Sequence, residues 1–234
     1  MSILNFQHVS LALAPQKKLI LDDVSFEVKL GETLILLGTN GSGKSSLLKL
    51  IQGQHRPSKG KIYFTGTPLK ECKQQAEKIK LITQDTTESV FMQLTIFENF
   101  LMIAPHITHK TCHDYLQQFN HRIARKLDSL AANLSGGERQ TLALALAVYF
   151  TPKLLLLDEH TSALDPKTSA RIMDLTAHII RTKNISCILT THDLDIAQTY
   201  GDRIMVLNNG QRQALLQHEE IRKLNKQALL AYYY

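Results

Sequence analysis

Few folds accommodate the loop Gly38-Thr39-Asn40-Gly41-Ser42-Gly43-Lys44-Ser45. Its spacing is G-x-x-x-x-G-K-[ST]. The apolar run Thr33-Leu34-Ile35-Leu36-Leu37 precedes it, and helical spacing from Ser45 to Gln52 follows, stopping at Gly53. A continuous apolar run ending in glycine reads as a strand buried on both faces. Strand, glycine-rich turn and helix together predict a parallel sheet with a helix laid on it. The glycines let the backbone turn so that successive N–H groups face phosphate oxygens. The helix start near Lys44 adds positive dipole potential. Lys44 offers an ammonium to β- and γ-phosphates, and the Ser45 hydroxyl suits Mg²⁺. The predicted phosphate seat therefore comprises residues 38–45, together with Ser46.

The rest of the chain supports the same class. Residues 3–30 alternate polar and apolar, as antiparallel strands with one wet face do. Lys153 to Asp158 and Ile185 to Thr190 read as further buried strands, each flanked by helical segments. Lys61 to Phe64 reads as a short strand with a turn at Thr65-Gly66. Residues 86–150 carry no strand signal and read as a helical insert between sheet-forming parts, 1–85 and 151–234. The tail from Glu219 to Tyr234 is expected to be helical.

Composition narrows the partners. With 234 residues and 44% hydrophobic content, the chain can bury a core, which excludes a disordered or disulfide-stapled chain. A net charge of +6 without a run of like charges does not indicate nucleic acid. Cys72, Cys112 and Cys187 show no metal-ligand spacing and fit a reducing cytosol. The N-terminus has no signal-peptide pattern. The apolar stretch Thr141 to Phe150 falls short of the ~20 residues that span a bilayer.

Two acids, Asp158 and Glu159, follow Leu154 to Leu157 at the carboxyl end of a buried strand. Asp158 suits Mg²⁺, directly or through water, and Glu159 suits orienting and deprotonating a water. His192 follows the strand ending at Thr190, at the same expected sheet edge, where it can donate to a γ-phosphate. Leu134-Ser135-Gly136-Gly137-Glu138 combines a capping box, Ser135 with Glu138, and a glycine pair that leaves helix-end N–H groups bare.

Loop 38–45, Gln84 in Leu81-Ile82-Thr83-Gln84-Asp85, the 134–138 signature, Asp158-Glu159, Ser162-Ala163-Leu164-Asp165 and His192 follow one another in an order that resembles the ATP-binding-cassette (ABC) ATPases. The resemblance runs from about Ile3 to Gly210. It implies an α/β, P-loop NTPase fold: a mostly parallel core, an N-terminal antiparallel β-subdomain and an inserted α-helical subdomain. It also implies an ATPase with ATP and Mg²⁺, driving a membrane transporter from the cytoplasmic face.

By that resemblance, two copies pack head to tail and trap ATP between them. Ser135, Gly136, Gly137 and Glu138 would close over the other copy's phosphate loop, and Asp165 would report across the interface. Gln84 would bind Mg²⁺ or the lytic water and lead toward a transmembrane permease. An extracytoplasmic substrate-binding protein is the further expected partner.

Three departures stand out. His160 occupies a position where the family usually has proline; the segment Asp158-Glu159-His160-Thr161-Ser162-Ala163-Leu164-Asp165 resembles a bacterial importer subgroup. Leu13, in Leu11-Ala12-Leu13-Ala14-Pro15, stands where an aromatic ring often stacks on adenine. Glu138 replaces the commoner glutamine. Leu127 to Asn133 lacks the glutamate-glycine pattern that exporters tend to show, so import is expected. The alternatives are a non-transport ABC motor, such as one that extracts lipoproteins, and a nucleotide-gated scaffold, against which the intact Glu159 argues.

Overall fold

A computed structural model describes residues 1–13, 18–72 and 75–221, with 223, 225, 227, 228, 231 and 232 beyond. β1 (Ser2–Leu13) and β2 (Lys18–Lys29) pair antiparallel, and β3 (Thr33–Leu37) leads to α1 (Lys44–Gln52). β4 (Lys59–Phe64) returns beside β1, and β5 (Thr67–Pro68) pairs with β4. α2 (Gln75–Lys78) precedes β6 (Ile79–Ile82). The helices α3 (Ile96–Ile103), α4 (His109–Gln117), α5 (His121–Ala124) and α6 (Gly136–Ala147) follow, with a 3-10 turn at Ala131–Asn133 and an isolated bridge from Thr95 to Leu130. Then come β7 (Leu154–Asp158), α7 (Pro166–Thr182), β8 (Ser186–Thr191) and α8 (Leu194–Tyr200). The chain continues through β9 (Arg203–Asn208), β10 (Gln211–Gln217) and α9 (His218–Ile221).

The larger sheet has the order β10-β9-β3-β8-β7-β6. Its pairings from β9 to β6 are parallel, and β10 closes one edge antiparallel. Side chains alternate between faces along a strand, and here they feed two cores. Ile35, Leu37, Leu155, Leu157, Leu189 and Val206 pack with Phe100, Leu142, Met173 and Ile179 of the helices. Leu34, Leu36, Leu154, Leu156, Ile188 and Met205 pack with Leu47, Leu48 and Ile51 of α1 and with Phe6, Phe26 and Phe64 of the antiparallel sheet. Burial on both faces explains why these strands read as unbroken apolar runs.

The parallel strands β3, β6, β7, β8 and β9 end on one edge, and β3 sits where the order of connection reverses, between β8 and β9. Open α/β sheets bind ligands at such a crevice.

The α/β fold with a parallel core agrees with the expectation. β6, β9 and β10 were not foreseen, and the expected helix from Glu219 to Tyr234 is corrected. α9 ends at Ile221, residues 223, 231 and 232 are turns, and 227 and 228 are helical. The Asn225 side chain accepts the Ala228 N–H at 2.8 Å, which starts a separate turn. Tyr233 and Tyr234 lie outside the described residues, as do Ala14 and Pro15. No helix among the described residues is long and apolar enough to cross a membrane.

Candidate functional site

The loop after β3 is built for close approach of an anion. Gly41 and Gly43 sit at φ 81° and 105°, a backbone region that side chains disfavour. A Cβ on Gly43 would also stand 2.8 Å from the Leu21 side chain, and one on Gly38 would stand 2.4 Å from the Leu207 carbonyl. Gly43 caps α1 without a side-chain bond, and the first turn holds no acid. Its leading N–H groups are thus left to an external acceptor. Thr39, Asn40, Gly41 and Ser45 are exposed, Ser46 is half-buried, and the buried Ser42 hydroxyl has no partner among the described residues.

Lys44 lies buried beneath the loop, 5% exposed. Its Nζ donates to the carbonyls of Gly38 at 2.9 Å and Thr39 at 3.2 Å and stands 3.4 Å from Glu159 Oε1. The other Glu159 oxygen lies 3.6 Å from His192 Nδ1. One carboxylate, 20% exposed, is thereby flanked by the lysine and the imidazole. The lysine ammonium and the carboxylate stand within ion-pair distance.

Asp158 ends β7 and pairs in register with Thr190 of β8. Thr190 Oγ1 donates to Asp158 Oδ1 at 2.7 Å and accepts the Glu159 N–H at 3.0 Å. Glu159 adopts φ 46°, and its carbonyl accepts from Ser162 N at 3.0 Å and Ser162 Oγ at 2.8 Å. Neither Thr190 nor Ser162 was picked out from the sequence in this role. The one available signal was a hydroxyl inside the apolar strand Cys187-Ile188-Leu189-Thr190.

His160, the next residue, is 3% exposed, and burial pushes its imidazole down to about 4. A cleft of about 390 Å³ opens beside Glu159 and His192 toward α8, lined also by Met173, Leu189 and Tyr200. No residue of loop 38–45 lines it, so it is separate from that loop.

Gln84 lies exposed just past β6, at the same sheet edge. It stands apart from the contacts that join Lys44, Glu159 and His192. The oxygen donors Ser45, Asp158 and Gln84 suit a hard cation. Among the described residues no cluster of three or more His, Cys, Asp or Glu could hold a metal. The chemistry fits Mg²⁺, which keeps water and phosphate ligands and needs few carboxylates.

The signature forms the expected capping box. Ser135 Oγ accepts the Glu138 N–H at 3.3 Å, and Glu138 Oε2 accepts the Ser135 N–H at 3.0 Å. Partial burial opposes the Glu138 charge, but hydrogen bonds from Ser135 and the Lys126 ammonium prevail and hold its pKa below the usual value.

The glycine pair has a further use. A Cβ on Gly136 would stand 3.2 Å from the Leu164 side chain, and one on Gly137 2.5 Å from Thr168 Cγ2. α6 therefore rests directly on the start of α7. Asp165 caps that helix, accepting the Thr168 N–H at 3.0 Å, and its side-chain and backbone bonds to Thr168 lower its pKa. The atoms nearest a Cβ on either glycine belong to Leu164, Thr168 and Ile172. Leu13 ends β1 opposite Lys18, half-buried against the Leu11 and Leu21 cluster.

Residues 21–162 match the ABC transporter family. The chain belongs to it. The matched stretch takes in the phosphate loop, the signature and Asp158-Glu159, whereas His192 lies beyond it. A tyrosine transport ATP-binding protein of Clostridioides difficile is 35% identical over 82% of this ABC chain and 82% of its own length. The methionine import ATP-binding protein MetN of Campylobacter jejuni is 32% identical over 83% of this chain and 65% of its own. CbiO1 of Clostridium perfringens, part of the ABC transporter complex CbiONQ, superposes with a TM-score of 0.84 at 25% identity. That likeness covers 98% of this chain and 93% of CbiO1.

Proposed function

We propose that this ABC protein is the ATP-binding and ATP-hydrolysing subunit of a bacterial importer of a small molecule, an amino acid by its likeness to the tyrosine and methionine transport proteins. The observation that carries hydrolysis is the Glu159 carboxylate set between Lys44 Nζ and His192 Nδ1 at the edge where the phosphate loop lies. Residues 38–46 cradle the triphosphate through backbone N–H groups. Lys44 exchanges its carbonyl and Glu159 partners for phosphate oxygens, which frees Glu159 to orient and deprotonate the attacking water. His192 donates to the γ-phosphate. Mg²⁺, when bound, neutralises phosphate charge and would be held by Ser45, Gln84 and Asp158. Leu13 meets the adenine with apolar surface.

Two copies then dimerise head to tail on a transmembrane permease at the cytoplasmic face of the membrane, with an extracytoplasmic substrate-binding protein delivering cargo. Ser135, Gly136, Gly137 and Glu138 of one copy close over the loop of the other, and Asp165 contacts the opposite site. In support, the signature offers a second helix start besides the one at Lys44, with its glycine pair packed on Leu164 and Thr168. The likeness of 83% of the chain to a methionine import protein favours import over a non-transport motor, in line with the resemblance of residues 158–165 to an importer subgroup. Residues 86–150 act as the helical unit that swings on the core formed by 1–85 and 151–234. Glu159→Gln is expected to bind ATP, lose hydrolysis and accumulate as an ATP-dependent dimer in size-exclusion chromatography with light scattering. Hydrolysis at the wild-type rate would remove Glu159 as the base.

A further inference from the structure

We infer that Thr190 is a positioning residue for hydrolysis, its hydroxyl fixing at once the carboxylate of Asp158 and the direction in which Glu159 leaves β7. The inference rests on the roles given above to those two acids. A hydroxyl carries one proton. The Glu159 N–H can only donate, so Thr190 Oγ1 must accept it, at 3.0 Å. The hydroxyl proton is thereby committed to Asp158 Oδ1, at 2.7 Å. Asp158 is an acceptor at that oxygen and cannot turn without breaking the bond, which leaves Oδ2 for the metal side.

The second bond acts on Glu159. Its φ of 46° is unfavourable for a residue with a side chain and persists only where neighbours hold it. Ser162 holds the carbonyl through its N–H and its hydroxyl. Thr190 holds the N–H. These clamps aim the carboxylate between Lys44 and His192. Thr190 is 1% exposed and stands in ladder register with Asp158, so its hydroxyl has no freedom to seek other partners. Two residues on, the same strand end delivers His192 to the other side of Glu159. β8 thus sets both the backbone and one flank of the base.

A hydroxyl that only satisfied buried polar groups would alter stability and leave turnover per folded molecule unchanged. A positioning hydroxyl alters turnover and leaves nucleotide uptake alone. The test measures MgATP turnover and ATP binding by the full chain for wild type, Glu159→Gln, Thr190→Val and Thr190→Ser. Valine keeps the branched shape and removes the hydroxyl; serine restores it. Thr190→Val is expected to lose roughly 10- to 100-fold in kcat, the scale of a small misplacement of reacting groups. Its KM and ATP affinity should stay within about threefold, because loop 38–45 is untouched, and Thr190→Ser should return to within about threefold of wild type.

Unchanged kcat in Thr190→Val, or a serine variant as slow as the valine one, overturns the inference. Should the valine variant fail to bind ATP, Thr190→Ala is judged by the same criteria against serine. An inactive wild type, or an active Glu159→Gln, would instead defeat the underlying reading of the site. An active wild type, an inactive Glu159→Gln and a fully active Thr190→Val would defeat the role of Thr190 alone.

Discussion

Replacing Gly137 with alanine sets two effects of opposite sign against each other. Alanine near the start of α6 gains helix propensity, up to about 1 kcal/mol over glycine. Its Cβ would, however, stand 2.5 Å from Thr168 Cγ2, with Ile172 Cδ1 at 3.7 Å behind it. Threonine is stiff at χ1 and cannot swing that methyl aside cheaply. Overpacking of this kind costs about 1–3 kcal/mol, so the expected net change is a destabilisation of roughly 0–2 kcal/mol. Thr168→Ser deletes the offending methyl and keeps the backbone N–H that caps onto Asp165. In the serine background the alanine should become neutral or stabilising. Urea unfolding of the four proteins gives the coupling energy, expected at about 1–3 kcal/mol. Additivity within about 0.5 kcal/mol would refute the packing account of the glycine pair.

Two further predictions concern buried ionisable groups. Arg203 forms an ion pair with Glu32 through Nε and Nη2, and both side chains are nearly inaccessible. Arg203→Met should therefore destabilise by about 3–5 kcal/mol in urea unfolding, and Glu32→Leu in the same chain should recover part of that loss; no recovery would refute the pairing account. His160 stays uncharged in the fold down to about pH 4, whereas the unfolded chain protonates it near 6.5. Its contribution is complete above pH 6.5 and is lost as pH falls to about 4, amounting to about 3 kcal/mol. A His160→Met variant with the same pH slope as wild type would contradict this.

Much of the frame was legible because its signals are local. β3, loop 38–45 and α1 follow from an apolar run, glycines and helical spacing within neighbouring residues. The Ser135 capping box needs only four residues, and the structure forms it. β6 was harder, being four residues long with two half-buried. β9 hides behind Arg203, a charge that enters the core only because Glu32, distant in sequence, neutralises it. The identities in the site were readable, whereas its geometry depends on partners far along the chain. Thr190 meets Asp158 and Glu159 through the β7–β8 register, and Gly137 meets Thr168 through helix packing. Periodicity within one segment carries no record of such pairs.

The central claim is that backbone amides of residues 38–45 and the Lys44 ammonium seat a magnesium-bound nucleoside triphosphate. Isothermal titration of the purified chain with ATP in Mg²⁺ measures this directly. A saturable heat at one site per chain, abolished in Lys44→Ala, is the predicted result. No heat from the folded wild-type chain would contradict it.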